Sequence, residues 1–327
     1  MSLEEVARRY AVSVSPVLLD LIDPADPNDP IARQFLPSLE ELNILPEERA
    51  DPIGDAVHSP LPGIVHRHQG RVLFKAVSAC PVYCRFCFRR ETIGPGKDNA
   101  LSKEEFDAAI AYIAAHPAIR EVILTGGDPF ILSPRRIEEI TGRLAAIAHV
   151  KLIRWHSRVP VTDPARVNDD LVGALHAAGA TTWVAVHANH AREFSPPAKA
   201  AIAKLADGGI ALVSQSVLLK GVNDDIESLA GLMRTFVEHR IKPYYLHHPD
   251  LAPGTSHFRV RIEDGLALMQ QLRAQLSGLE MPTYMLDIPG GFGKVPLESD
   301  HLELRETGYR IRDLSGRWHD YSPALGE

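Results

Sequence analysis

From Arg71 onward, short apolar runs rich in β-branched and aromatic residues alternate with amphipathic stretches of helical period, and this alternation restricts the fold more than any other feature of the chain. The strand-like runs are RVLFKAV (71–77), EVILT (121–125), KLIRWH (151–156), TTWVAVH (181–187), IALVSQSV (210–217) and KPYYLH (242–247). Their spacing of roughly 30 residues is that of βα units, which predicts six parallel strands. Between them, SKEEFDAAIAYIAAH opens with a capping box from Ser102 to Glu105, and Ser133 stands as N-cap before Pro134 at the first helical position. Further helices fit residues 164–178, 196–207 and 225–240.

Such units either close into a full or partial (β/α) barrel or stay open as a doubly wound sheet. Polar or reactive residues follow successive strands: the cysteines after the first, Gly126-Gly127-Asp128 after the second, Ser157-Arg158 after the third, His187 and Asn189 after the fourth, Asp250 after the sixth. In a barrel those ends share one face, so an α/β fold built as a partial (β/α)6 barrel is expected. Residues 1–65 are rich in Pro, Asp and Glu and are expected to form an irregular helical arm, with the barrel core over 66–280 and a C-terminal extension over 281–327.

With 327 residues and 45% hydrophobic content the chain can bury a substantial core. A net charge of −7 gives no general attraction for nucleic acid. The start, MSLEEVARRY, has no apolar signal region, and no run approaches the ~18 apolar residues of a membrane span. A cytoplasmic protein with neither membrane nor nucleic-acid partner is expected. The three cysteines, crowded into CPVYCRFCFRR (80–90), are too few and too close for a disulfide framework and suit a reducing compartment.

Structural zinc usually takes four protein ligands, whereas Cys80-x3-Cys84-x2-Cys87 offers three. A thiolate-bound [4Fe–4S] cubane would turn the deficit into an open iron for a substrate or cofactor; zinc on the same cysteines is the alternative. In LTGGDP, Gly126 and Gly127 permit either close approach of a ligand or a tight turn. In YMLDIPGGFGKVPL (284–297) a Walker A reading fails, because Val295 stands where Ser or Thr is required and Pro296 obstructs the next helix. The loop amides could still cradle phosphate. Lys294 is then either a Schiff-base lysine for a carbonyl cofactor such as pyridoxal phosphate (PLP) or a solvated lysine in a turn.

The cysteine spacing, with Phe86 between the last two, resembles the cluster motif of radical S-adenosylmethionine (SAM) enzymes, in which SAM chelates the open iron. The resemblance narrows over residues 62–297. RVLFKAVSACPVYCRFCFRR, LTGGDP, VHANH, SQSVLLKGVND, KPYYLHHPDL, SHFR and LDIPGGFGKVPL are similar, in order and spacing, to segments of the lysine 2,3-aminomutase family. That resemblance implies a radical SAM barrel with a [4Fe–4S] cluster on Cys80, Cys84 and Cys87. It implies a SAM contact at Gly126, Gly127 and Asp128, SAM neighbours in His187 and Gln215, PLP on Lys294 and basic residues around PLP in Arg67 and Arg71. It also implies a substrate carboxylate on Arg89 and the ε-ammonium of lysine between Asp250 and Asp287. Two acids around one buried ammonium make physical sense, since an anionic side chain would be repelled there.

The implied activity is transfer of the α-amino group of L-lysine from C2 to C3, with an electron donor such as flavodoxin or ferredoxin. The alternatives are formation of β-lysine for modification of elongation factor P, action on another amino acid, and a non-enzymatic zinc protein. Longer relatives carry zinc-binding cysteines between subunits. Asp225 occupies the internal position here, so that zinc is not expected and a homo-oligomer is only possible.

Overall fold

The computed structural model describes residues 2–94, 100–297, 302–305, 309–313 and 317–321, so part of the expected C-terminal extension lies outside the described residues. The six expected strands form, as β2 (Arg71–Val77), β3 (Glu121–Gly126), β4 (Leu152–Ser157), β5 (Thr181–His187), β6 (Ala211–Val217) and β7 (Lys242–His247). A seventh parallel strand, β8 (Thr283–Ile288), adds to β7. The sheet is bordered by two antiparallel strands, β1 (Ile64–His68) on β2 and β9 (Gly293–Pro296) on β8. Strand order follows chain order from β1 to β9, as a barrel of right-handed βα units requires. The two border strands do not pair with each other, which leaves the barrel partial. A separate three-stranded sheet comprises β10 (Leu302–Leu304), β11 (Tyr309–Arg312) and β12 (Trp318–Tyr321).

The period of two along each strand sorts residues between core and interior. Val122, Leu124, Ile153, Trp155, Val184 and Val186 are fully buried against helix residues such as Ile110, Ile137, Ile202 and Leu232. Each such side chain stabilises the fold by roughly 1.5–3 kcal/mol. Their alternates Ile123, Thr125, Arg154, His156 and His187 line a cavity inside the barrel. The apolar half of each strand therefore builds the scaffold, and the other half supplies the site.

Capping residues behave as their sequence predicts. Ser102 and Glu105 make a complete capping box on the helix Lys103–Ala114, and Ser133 caps the helix Pro134–Ala145. The single helix expected over 164–178 is instead a 3₁₀ turn, Pro164–Arg166, followed by the helix Asp169–Ala174. The Asn168 side chain accepts from the Leu171 amide at 2.9 Å and starts the second piece, so an internal cap breaks the run. Asp225 is likewise a cap, accepting from the Ser228 amide at 2.9 Å at the start of the helix Ile226–Glu238.

The N-terminal segment is α-helical in short pieces, Leu3–Arg9, Pro16–Leu19 and Pro30–Phe35, followed by 3₁₀ turns at Leu39–Leu42 and Ala56–His58. It clasps the loop after β2: the Tyr83 amide donates to Ser13 O at 3.1 Å and the Arg85 amide to Gln34 O at 2.8 Å.

Candidate active site

The loop after β2 carries the three cysteines with little regular structure of its own, so neighbouring side chains fix its shape. Glu41, fully buried, accepts from Arg85 Nε at 3.0 and 3.1 Å and also from Arg90. Arg158 donates to Cys84 Sγ at 3.0 Å, to Gln34 at 2.5 Å and to Glu193 at 2.8 Å, while its guanidinium lies over Phe35 and Phe86. Two elements distant in sequence, the N-terminal arm and the β4 end, thus hold the loop from below. Neither contact carries a local sequence signal, although Arg158 had been singled out by its position just after a strand.

Burial raises the pKa of all three thiols, that of Cys87 to about 11. The charges of Cys87 and Cys84 add to the rise at Cys80, and that of Cys84 to the rise at Cys87. Among the described residues, no three His, Cys, Asp or Glu side chains are arranged around the position of a single metal ion. The cluster's own positive charge would supply the deprotonation that burial opposes.

LTGGDP braces this loop. A Cβ on Gly127 would stand 2.1 Å from Ala79 O, and the Gly127 and Asp128 amides donate to Val77 O at 2.7 Å and Ala79 O at 3.0 Å. The Asp128 carboxylate accepts from Ser157 Oγ, from the Arg158 amide, both at 2.7 Å, and from the Phe130 amide at 3.0 Å. In this geometry the glycines serve the close passage of two backbones, and the aspartate ties the β3 end to the β4 end.

The cavity inside the barrel brings together Arg67, Arg71, Arg89, His187, Gln215, Asp250, Asp287 and Lys294. The cysteines, Gly126, Gly127 and Asp128 are not on its wall. Lys294 lies on β9 directly opposite Asp287 on β8, and the two form an ion pair. The glycines before Lys294 make the hairpin turn, Gly290, Gly291 and Gly293 having φ of +91°, +90° and +100°. Within this loop the Gly290 amide donates to Pro52 O at 3.3 Å, and His58 Nε2 lies 2.9 Å from Gly291 O.

Electrostatics divide the wall. Burial, reinforced by Arg158 and Arg89, pushes the His187 pKa down to about 3, and burial lowers His156 and His247 as well. These rings are neutral hydrogen-bonding groups, with His187 Nε2 3.2 Å from His156 Nδ1. Asp250 goes the other way: burial and the charge of Asp287 push it up to about 7. Around Lys294 several buried polar atoms have no hydrogen-bond partner, among them Asp287 Oδ1, Arg67 Nε and His247 Nε2. Buried polar groups are rarely left unpaired, and these have bonding capacity toward the cavity. Asp55, which sequence reasoning missed, accepts from Arg89 Nε at 3.2 Å and Nη2 at 3.0 Å; it sits among prolines with no periodic pattern to mark it.

Residues 75–233 match the Radical SAM superfamily. L-lysine 2,3-aminomutase from Clostridium subterminale is 38% identical over 298 residues, covering 91% of this chain and 71% of that protein. The chain belongs to the lysine 2,3-aminomutase family of radical SAM enzymes. Glutamate 2,3-aminomutase from Clostridioides difficile, another relative, is 36% identical over 96% of this chain and 74% of its own length. Among solved structures, a radical SAM methyltransferase from Sphaerobacter thermophilus superposes with a TM-score of 0.51 at 18% identity, covering 68% of each chain, a likeness of fold. The protein is therefore an enzyme, an isomerase of the aminomutase type, and its family's cofactors are a [4Fe–4S] cluster, SAM and PLP. The residues present fit the set: three neighbouring thiols for the cluster, and a lysine beside two arginines and unpaired buried polar atoms for PLP. No helix among the described residues is long and apolar enough to cross a membrane.

Proposed function

We propose that the enzyme moves the α-amino group of L-lysine from C2 to C3, giving β-lysine. The observation that carries this reading is the acidic end of the cavity. Asp287 already accepts an alkylammonium, that of Lys294, and burial, with the charge of nearby Asp287 added to it, raises the Asp250 pKa to about 7. A second ammonium entering between them would draw Asp250 into its ionised form, whereas the side-chain carboxylate of glutamate would meet repulsion from both.

Bound together, cluster, SAM and PLP supply hydrogen-atom abstraction and nitrogen migration, drawing one electron from a donor of the flavodoxin or ferredoxin class. The chain's own residues bind and orient. Cys80, Cys84 and Cys87 would hold the cluster, with Arg158 donating to one of the sulfurs. The LTGGDP turn at Gly126, Gly127 and Asp128, with His187 and Gln215, would border SAM. Lys294 would carry PLP, and Arg67 and Arg71 would balance its phosphate. Arg89 would take the substrate carboxylate in its planar fork. Asp250 and Asp287 would fix the far end of the amino acid, and the surrounding apolar wall would exclude water from the reacting carbons.

The test is anaerobic reconstitution with iron, sulfide, PLP, SAM and a reductant, then mass spectrometry of products from a panel of amino acids. Conversion of lysine and not of glutamate is expected. Turnover of glutamate alone would overturn the substrate, and turnover of no amino acid would overturn the reaction.

A further inference from the structure

Arg89 is shared by two spaces. Beside the main cavity lies a second one of about 610 Å³, within the size range of small-molecule sites, and Phe88 and Arg89 belong to the walls of both. The rest of its described wall includes Lys75, Asp51, Asp55, Ala56 and the stretch from Ser59 to Gly63.

Asp55 stands between the two. It occupies the N-cap position of the 3₁₀ turn Ala56–His58, yet its side chain caps nothing. Its carboxylate turns inward instead, to Arg89 at 3.0 Å, Arg67 at 3.6 Å and Lys75 at 3.9 Å. One of its oxygens, Oδ1, is buried without a hydrogen bond. Arg89, Arg67, Lys75 and Lys294 face Asp55, Asp51 and Asp287, which leaves one positive charge in excess, a focus for a further anion. An arginine fork already holding a carboxylate cannot grip a second in the same geometry until the first moves.

We propose that the second cavity is the amino acid's way in, and that Asp55 is the counter-ion which the substrate carboxylate displaces from Arg89. This rests on the assignment of Arg89 made above. In the exchange no covalent bond changes: the Asp55 carboxylate leaves Arg89 and remains charged beside Lys75 and Arg67, while the incoming carboxylate takes the vacated fork. Lys75 faces the second cavity and not the main one, so its ammonium meets the substrate first and keeps Asp55 neutralised afterwards. The protein thereby holds a stand-in for its substrate until the substrate arrives.

The experiment uses protein loaded with cluster and PLP and checked by its visible spectrum. L-lysine binding is followed by stopped-flow absorbance, and steady-state kinetics are measured alongside. Ala56→Trp places a large ring on the wall of the second cavity from an exposed position. It should slow binding and release of lysine together, each by tenfold or more, with the equilibrium affinity kept. Asp55→Asn should lower the KM for lysine about fivefold to tenfold without raising kcat, and Asp55→Glu should return it towards the starting value. Ala56→Trp binding at the original rate overturns the route, and Asp55→Asn with unchanged or weaker affinity overturns the counter-ion. A starting protein whose spectrum responds to no amino acid removes the proposed function itself, an outcome separate from either variant result.

Discussion

The enzyme keeps two groups of buried carboxylates, one around the cysteine loop and one around the two cavities that share Arg89, and they are treated oppositely. Glu41 has both oxygens occupied, by Arg85, Arg90 and the Ser38 amide; Glu193 has both occupied, by Arg158, Gln34 and the Asn189 and His190 amides. At the cavity, Asp55 and Asp287 each leave Oδ1 with no hydrogen bond, and Asp250 is poised near neutrality. Carboxylates saturated by the protein are building material, holding a loop that must keep three thiols in register. Carboxylates left short keep bonding capacity beside the cavities. The same residue type thus marks scaffold or site according to whether the chain completes its bonding.

That contrast can be broken at either end. The largest effect is expected from Glu41→Ala, which strands two buried arginines. A loss of about 3–5 kcal/mol is expected in denaturant unfolding, with failure to load the cluster. If stability instead falls by less than 1 kcal/mol, the Glu41 network is not structural. Lys294→Ala should abolish the PLP absorbance of the reconstituted enzyme and all turnover while leaving the cluster spectrum, because the lysine belongs to the second group only. Retained PLP absorbance would assign the wrong lysine.

Asp287→Asn should weaken lysine binding by about 2–5 kcal/mol, as truncating one member of a buried charged pair does, with unfolding stability nearly unchanged. A stability loss as large as that of Glu41→Ala would place Asp287 with the scaffold. The smallest effect is a pH dependence. Asp250 is raised, so it is protonated below about 7 and must lose its proton to receive an ammonium. Lysine affinity should therefore rise as pH increases through 7, and Asp250→Asn should flatten the profile. Stability runs the other way: the raised pKa favours the folded state at low pH, and that contribution is lost as pH climbs from the ordinary carboxylate range through 7.

Much of this was legible in the chain. The βα alternation specified the six central strands, and of the post-strand residues His187 and Asp250 line the cavity, while Ser157, Arg158 and Asn189, like the cysteines, Gly126, Gly127 and Asp128, do not. A strand hidden in MPTYMLDIP was not recognised as one, because its apolar run is short and followed at once by the PGG turn; the sheet claims it by offering β7 an edge to cover. The helix over 164–178 was overread because hydrophobic periodicity continued through Asn168, whose capping side chain outweighs it.

What the sequence determined by itself are the properties that depend on neighbours a few residues away: strand and helix identity, caps, and the three-cysteine loop with its spacing. The tertiary structure alone decided which carboxylates are satisfied. Glu41 meets Arg85 and Arg90, Gln34 and Glu193 meet Arg158, and Asp55 meets Arg89, all across separations of tens of residues or more. Hydrogen bonding and charge act at about 3–4 Å, and no spacing along a chain reports which distant groups folding will bring within that reach.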